Sequence, residues 1–398
     1  VIDPVLGGFE PDYGSNSSLG RTRPTSDQLN PYGAATLDYN GTERYEVVAN
    51  ANLNAKITEG LTFETSVGLQ YSSSIGKTMN NQFYGTGTSN GGSLSQLDLT
   101  TRTLNFLQLL RYSKDFGDHS FEVLAAHESN QLEQRSLSAF KTQAILPLGL
   151  ELDNYIVAPS PVSGNMIGRT LDSYFSQLNY NFDNKYYLTA SVRRDGSSRF
   201  ANNKWDTFFS VGAAWVISNE GFLENNDLVR YLKLKGSYGT TGDEQGVSFY
   251  SGINLFDVSN LNGGFAVTPR LIANPELTWE RATQYQAGLE FTLGDFLDGS
   301  FDYFIKDTEN LFFDRPNPIS TGVASVLVND GVLRNSGFEF DLTAHLVKKE
   351  NFTLDATVNG IIYSNEIREM PLDPSDENRP NDFINLASYA YEEGRSIF

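Results

Sequence analysis

The chain has 398 residues, of which 49 are acidic and 29 basic, so its formal net charge is −20. A chain this acidic repels phosphate backbones, which excludes nucleic acid as a partner. The absence of cysteine excludes disulfides and thiolate metal sites, and no apolar run approaches the roughly 18 residues that a membrane-spanning helix needs.

Amino-acid usage favours strands and turns, with 20 Tyr, 27 Phe and 35 Gly beside only 3 Met. The first 43 residues nevertheless show no alternation, and Gly7, Gly8, Pro24 and Pro31 predict a loop region there. The chain begins at Val1 without the basic head and apolar core of a signal peptide. Either such a peptide has been removed or the chain starts within a larger protein.

From Arg44 onward, apolar and polar residues alternate with period two, the pattern of a strand with two different environments. The apolar positions of the first segment are Tyr45, Val47, Ala49, Ala51, Leu53, Ala55 and Ile57. The alternation resumes after Glu59 and Gly60, which predicts a hairpin. Further clear segments lie at residues 187–192, 209–215, 285–293, 297–305, 338–346 and 352–362.

The predicted strands are about ten residues or longer, whereas strands of a soluble sandwich usually have about five or six. One face is apolar, and the other carries Asn, Gln, Thr, Ser and acids, as expected for a wall with lipid outside and a watery lumen inside. Tyrosines near strand ends are predicted to form interfacial girdles: Tyr45, Tyr71, Tyr112, Tyr180, Tyr186 and Tyr187. An elongated soluble β-protein stays open as the alternative from periodicity alone.

Predicted connections differ in length, as they do at the two rims of an outer-membrane barrel. Short polar turns are expected at residues 59–60, 183–185 and 348–351, and long connections at residues 72–100, 140–172 and 239–276. Residues 186–192 are apolar in alternation, and residues 193–199 continue with Arg193, Arg194, Asp195 and Arg199. We interpret the change at Val192 as the point where a strand leaves the membrane.

A search for catalytic or metal chemistry yields no site. His119, His127 and His345 are scattered, and His127 and Glu128 lack a second histidine at Gln131. The glycine-rich residues 85–93 predict a flexible loop, and the acidic residues 373–382 lack the ligand spacing of an EF-hand. Carboxylates at polar positions are numerous, which is typical of a hydrated lumen and not of a glycosidase pair: Glu64, Glu290, Asp302, Glu339, Asp341 and Asp355. We therefore expect no enzyme activity and no cofactor.

Several motifs resemble, in order, those of the SusC/RagA family of TonB-dependent outer-membrane transporters. They are residues 186–200 with Trp205, residues 232–242, residues 274–280, residues 283–290 and residues 335–339. The resemblance implies a 22-stranded antiparallel transmembrane β-barrel with an N-terminal plug in the outer membrane of a Gram-negative bacterium. It also implies import of glycans or peptides, energy supplied by TonB through the plug, and a SusD-like surface lipoprotein as lid.

Departures from the family predict a fragment of that barrel, without plug or closing strands. Residues 1–43 are expected to form an extracellular loop region and residues 44–398 a partial barrel. Phe398 resembles a barrel terminus, but counting back by twos gives Ser396, Gly394 and Glu392, which is not the apolar face of a closing strand.

The motif resemblance assigns a structural role in the extracellular strand extension to one segment, with ligand contact as the alternative: Arg193, Arg194, Asp195, Gly196, Ser197, Ser198, Arg199 and Phe200. Two other functions stay open. A SusC-like barrel could serve as a structural subunit of a larger envelope complex, because fold does not establish function. A soluble carbohydrate-active enzyme or adhesin would instead need no detergent.

Overall fold

The computed structural model describes residues 35–82, 85–223, 226–317, 320, 322–373, 376–380, 383–385 and 390–396. Most of the loop predicted at residues 1–43, the terminal Phe398 and the acidic side chains of residues 373–382 lie outside the described residues. No helical segment within those ranges has the length and hydrophobicity needed to cross a membrane.

The described chain is almost entirely β-strand. Its strands in order are β1 (Tyr39–Thr58), β2 (Leu61–Asn80), β3 (Ser93–Phe116), β4 (His119–Ala144), β5 (Tyr155–Val157), β6 (Ser163–Phe182), β7 (Tyr186–Ser197), β8 (Trp205–Val216), β9 (Val229–Asp243), β10 (Leu255–Leu261), β11 (Gly264–Leu271), β12 (Glu280–Leu293), β13 (Leu297–Glu309), β14 (Phe312–Pro316), β15 (Ser325–Asn329), β16 (Val332–Lys349), β17 (Phe352–Glu369), β18 (Leu372–Asp373), β19 (Asp376–Pro380), β20 (Phe383–Asn385) and β21 (Ala390–Glu392).

Twelve strands form one sheet in the order β1-β2-β3-β4-β6-β7-β8-β9-β12-β13-β16-β17, with β5 added to β4. The order of these twelve strands in the sheet is the same as their order along the chain. The pairings from β6 to β17 are antiparallel. Among the described residues, four two-stranded sheets lie apart from this one: β10-β11, β14-β15, β18-β19 and β20-β21. The predicted all-β antiparallel architecture is therefore confirmed.

The register separates an apolar from a polar face. Leu188 lies opposite Ala213, and Val192 lies opposite Phe209, while their neighbours Thr189 and Gly212 face the other way. Apolar side chains remain exposed along β7 to β17, at 38–72% of their reference area: Tyr186, Leu188, Val192, Phe209, Val211, Leu234, Tyr285, Tyr303, Phe338, Leu354, Val358 and Ile362. An apolar face this extensive requires an apolar solvent, which the lipid bilayer provides.

The short turns lie where the sequence predicted them. Gly60 between β1 and β2 has φ +78°, and Asp183 and Asn184 between β6 and β7 have φ +52° and +51°. Two consecutive residues in the left-handed region define a type I′ turn, whose twist matches that of the flanking strands. Asparagine and aspartate tolerate this region better than other non-glycine residues, which explains why they occupy the turn.

The predicted long connections are too long, because the strands continue well beyond the apolar alternation. β2 runs to Asn80, β3 begins at Ser93 and β4 reaches Ala144. The 26 residues of β4 span about 85 Å at roughly 3.3 Å per residue, more than an apolar band of about 25 Å requires. The glycine-rich segment, predicted as a flexible loop, forms a 3₁₀-helix at Gly85–Asn90. Backbone pairing therefore persists where both faces are polar.

The chain divides into two compact units. The first contains the described parts of residues 1–50, 68–104 and 131–168, and its small core consists of Met79, Leu94 and Tyr155. The second contains residues 51–67, 105–130 and 169–398, and its core is formed by β8 and by the connections that follow β7, β9 and β11. We call this second core, made of Phe200, Phe208, Val247, Leu277 and Trp279, the signature core.

Candidate functional site: the signature segment and the polar face

Arg193 lies on the polar face, where it connects three strands. Its Nε donates to Asp195 Oδ1 at 2.6 Å, and its Nη2 donates to Glu128 Oε2 at 3.0 Å and to Ser173 Oγ at 2.8 Å. The guanidinium also lies 4.9 Å from the ring centroid of Phe175. An arginine fork can use its donors in this way only when acceptors surround it on several sides. Arg193 therefore fixes β4, β6 and β7 to one another.

Residues 195–198 close the end of β7. Asp195, Gly196 and Ser197 are buried, and Gly196 lies so close to Trp205 that a Cβ would approach the indole to 2.6 Å. Ser197 N donates to Lys204 O, while Ser198 exchanges hydrogen bonds with the backbone of Thr170 through its own N and Oγ. The small side chains let the β7–β8 connection pack directly onto the strand end.

Arg199 points into the connection that follows β9. Its Nη1 donates to the carbonyl oxygens of Glu244 and Val247, and its guanidinium lies 4.9 Å from the Phe249 ring centroid. Glu244 Oε1 lies 3.8 Å from Arg199 Nε and 2.5 Å from Arg169 Nε. Burial lowers the pKa of the Arg199 guanidinium below its ordinary value, and the charge of Glu244 opposes that shift. Two arginines and one buried carboxylate thus hold the start of this connection.

Phe200 occupies the centre of the signature core with 1% of its surface exposed. Its ring centroid lies 5.3 Å from that of Trp279, and Phe208 contacts the same indole edge-on at 5.8 Å. Trp279 Nε1 donates to Lys204 O at 3.1 Å, so the buried indole N–H has an acceptor. Leu171, Phe312 and Leu327 pack around the core. The motif at residues 195–200 and the motif at residues 274–280 therefore meet in one cluster.

Side-chain amides hold the remaining connections to this core. Asn329 donates from Nδ2 to the Thr278 carbonyl at 2.8 Å and accepts from Thr278 N at Oδ1, also at 2.8 Å. Asn274 Nδ2 donates to the Leu327 carbonyl, and Asn202 Nδ2 donates to Glu276 Oε1. The β14–β15 hairpin is thereby joined to the connection that precedes β12.

The polar face carries a charge network between β9, β12 and β13. Lys233 Nζ lies 3.1 Å from Glu290 Oε2, while Lys235 Nζ lies 2.9 Å from Glu290 Oε1 and 3.1 Å from Asp302 Oδ1. Gln286 Nε2 also donates to Asp302. Beside the lysines lies a shallow depression of about 340 Å³ whose lining includes Tyr187, Thr189, Gly212, Ala214, Lys233 and Lys235. Tyr187 was predicted in a girdle but lies on this face, because successive side chains of β7 alternate.

Two of the other predicted carboxylates, Glu64 and Asp355, also lie in ion pairs. Glu64 pairs with Arg111, which also binds Glu122, and Asp355 accepts from His345, whose other ring nitrogen contacts Asp298. His119 contacts the Tyr180 hydroxyl, and His127 contacts Asp172. Within the described ranges, no group of three or more His, Asp or Glu side chains is arranged to hold a metal ion. The geometry of these side chains favours ion pairing along a wall.

Aromatic rings form two rows on the apolar face. One row lies beside the turn at residues 183–185, where Tyr186 and Trp215 stack at 6.3 Å and Phe182 and His119 continue the contacts. We call it the short-turn row. The other, the long-connection row, consists of His127, Tyr174 and Trp205. Of the predicted girdle tyrosines, Tyr180 and Tyr186 lie in the first row, and Tyr112 contacts Phe121 near it.

Sequence reasoning missed Glu244, Arg169 and the partners of Trp279. Glu244 follows β9 immediately and looks like any solvated loop acid, and Arg169 precedes Tyr174 in a strand whose alternation is weak. The only sequence signal for Trp279 was its place in the motif at residues 274–280, which resembles a motif of the SusC/RagA family. No spacing in the sequence connects it with Phe200.

Comparisons with known proteins agree with this architecture. A family model described as "TonB dependent receptor-like, beta-barrel" matches residues 4–395. TonB-dependent receptor P3 of Formosa agariphila is 30% identical over 98% of this chain and 40% of its own length, and TonB-dependent receptor SusC of Bacteroides thetaiotaomicron is 27% identical over 93% and 37%. The RagAB peptide importer in the closed-closed state superposes with a TM-score of 0.84 at 24% identity, over 98% of this chain and 42% of that one. The chain thus spans about two fifths of the length of these relatives.

Proposed function

Because the chain belongs to the family of TonB-dependent receptor-like β-barrels, we propose that it forms part of the wall of a SusC-like outer-membrane transporter. The transporter would import glycans or peptides with energy received from TonB through a plug outside this chain, and it would perform no covalent chemistry. The similarity to SusC supports the SusC type of receptor, and RagAB, which shares the fold, is itself a peptide importer.

The observation that carries the proposal is the apolar band between the two aromatic rows. Trp205 and Trp215 begin and nearly end β8, ten residue steps apart, and the apolar-face residues Phe209, Val211 and Ala213 lie between them. Ten steps of about 3.3 Å give roughly 33 Å along the strand, or about 25 Å across a bilayer for a strand tilted by about 40°. This equals the height of the apolar band in outer-membrane barrels.

A protruding hairpin supports the proposal of a SusD-like lipoprotein as lid. In β10 and β11, Phe256, Val258, Phe265 and Val267 share one face and are 48–82% exposed, while Asp257 and Ser259 lie on the other. The hairpin rises from the connection that the signature core holds, at the end of the long connections. A two-stranded hairpin with a bare apolar face is marginal in water and gains stability from a partner.

The lid proposal predicts the effect of charges on this face. In the full-length receptor, Val258→Asp combined with Phe265→Asp should reduce the amount of co-purifying SusD-like lipoprotein, identified by mass spectrometry, at least about tenfold, because each introduced carboxylate would have to be desolvated. Ser259→Asp, on the opposite face of the same strand, is the matched control. Unchanged lipoprotein recovery in the double variant would contradict this assignment.

Import itself is tested in cells of the source organism. We expect deletion of the receptor to abolish uptake of either labelled oligosaccharides or labelled peptides, and a protonophore that uncouples TonB to have the same effect in the undeleted strain. Normal uptake of both cargo classes after deletion, together with loss of other outer-membrane proteins from the envelope, would overturn import in favour of a structural subunit.

A further inference from the structure

Arg194 differs from the other arginines of the signature segment in the face it occupies. It lies opposite Tyr174 of β6 and Thr207 of β8, on the same face as Val192 and Leu188. Its side chain is exposed, and its guanidinium carbon lies 5.8 Å from the Trp205 ring centroid. Arg193, one residue earlier, points to the polar face. Arg193 therefore lies on the polar face of the wall, and Arg194 lies on the face that meets lipid.

The surroundings of Arg194 form an aromatic shelf at the edge of the apolar band. The rings of Tyr174 and Trp205 lie 6.1 Å apart, and Tyr174 stacks on His127 at 4.8 Å. The carboxylate of this cluster, Asp172, contacts His127 Nε2 at 2.9 Å. Aromatic rings with a polar edge are enriched at the headgroup level of a membrane, where one side is apolar and the other wet.

Charge pairing distinguishes Arg194 from its neighbours. Arg193 pairs with Asp195 and Glu128, Arg199 and Arg169 approach Glu244, and Arg281 pairs with Asp206. Within the part of the chain that the structure describes, the Arg194 side chain has no hydrogen bond or ion pair, and its guanidinium lies against the Trp205 ring. The chain has 49 acidic and 29 basic side chains. In so acidic a chain, a guanidinium without an acidic side chain as partner points to an anion from another molecule.

The lengths of the connections at the two ends of β7 and β8 indicate on which side of the membrane the long-connection row lies. β7 and β8 are joined at this end by residues 198–204, and the connections after β9 and β13 emerge at the same end, whereas the tight turn at residues 183–185 lies at the other. Outer-membrane barrels carry long loops on the cell surface and short turns on the periplasmic side. Arg194 consequently lies at the level of the outer-leaflet headgroups.

We propose that Arg194, flanked by Tyr174 and Trp205, binds the phosphate of an outer-leaflet lipid. The planar guanidinium presents paired donors that match a phosphate, and Trp205 restricts its orientation. The acyl chains of the same lipid would lie along Val192, Phe209 and Val211. This site rests on the outer-membrane location contained in the proposed function, but it is independent of cargo, lid and TonB.

The test measures lipid binding to the purified full-length receptor in detergent by native mass spectrometry. The probes are lipid A carrying phosphate, the same lipid A after enzymatic dephosphorylation, and inorganic phosphate. We expect phosphorylated lipid A to bind at least about tenfold more tightly than the dephosphorylated form, and Arg194→Gln to remove that difference. Arg194→Lys should retain part of it, because the charge remains while the fork is lost.

Arg230→Gln is the matched control, since Arg230 is also exposed but pairs with Asp295 near the opposite end of the sheet. It should bind lipid A as the unsubstituted receptor does. The proposal is overturned if Arg194→Gln, folded as judged by its melting temperature, binds phosphorylated lipid A unchanged. It is also overturned if inorganic phosphate binds with equal affinity and equal dependence on Arg194, which would indicate a free-anion site. A receptor that fails to import cargo but shows this binding would contradict only the proposed function.

Discussion

We expect Phe200→Ala to increase the frequency of local opening in all the connections that pack around the signature core. The side chain is 1% exposed and packs against Trp279, Val247 and Leu277, each 4% exposed or less. Replacing a phenylalanine in such a core by alanine costs about 3–5 kcal/mol through lost burial and the cavity left behind. Because about 1.4 kcal/mol corresponds to a factor of ten, local opening should become about 100-fold or more frequent.

Hydrogen–deuterium exchange of the full-length receptor measures this opening. Amides in residues 197–208, 244–251 and 274–280 should exchange faster together, whereas the β12–β13 pairing should keep its protection. Phe222→Ala removes an equally large ring that is 71% exposed and should leave all three segments unchanged. Faster exchange confined to residues 197–208 would refute the idea that one core holds the three connections.

Two further predictions concern the packing of Trp205 and the short-turn row. Gly196→Ala should displace the Trp205 indole and lower the melting temperature, because the new Cβ would lie 2.6 Å from the indole. Gly221→Ala is the control and should leave the melting temperature unchanged, since nothing lies within 4 Å of a Cβ there. Equal melting temperatures for the two variants would contradict the contact between Gly196 and Trp205. Hydrogen bonds from Tyr186 and Trp215 lower the pKa of Glu220 in the folded protein. These bonds therefore stabilise the fold fully above the unfolded carboxyl pKa of about 4.3, and this stabilisation is lost as the pH falls through the lower folded pKa. Indole fluorescence should report that loss, and a Glu220→Gln variant with the same acid titration would contradict the assignment.

The strands and their faces could be predicted because alternation survives wherever one face meets lipid. Phe209, Val211 and Ala213 repeat every second residue, and the register has them on one face. The extent of the strands could not be predicted from the same signal. Beyond Val192, neither face carries an apolar alternation, since Arg193 lies on the polar face and Arg194 on the opposite one. Pairing between β7 and β6 therefore continues through Ser197 without any hydrophobic pattern to mark it.

The signature segment was recognisable, but the contacts of its members were not. The prediction treated Arg193, Arg194 and Arg199 as one charged extension. Alternation sends Arg193 and Arg194 to opposite faces, and Arg199 leaves the strand entirely to meet Glu244, 45 residues later. Contacts between connections depend on the path of each loop, which turn chemistry and composition do not determine.

The β10–β11 hairpin has the features of a structurally independent insertion. Its base is tied by Asn254 Oδ1, which accepts from Ala273 N, and by the backbone bond from Asn274 N to Ser251 O. Its tip, Asn262 and Gly263, adopts φ +51° and +86°, a turn that closes by itself. We therefore expect residues 255–271 to tolerate sequence divergence, or transplantation between relatives, without a change in the large sheet. Under the proposed function, exchange of this hairpin would change what the receptor meets at the cell surface and leave the membrane-spanning strands unaltered.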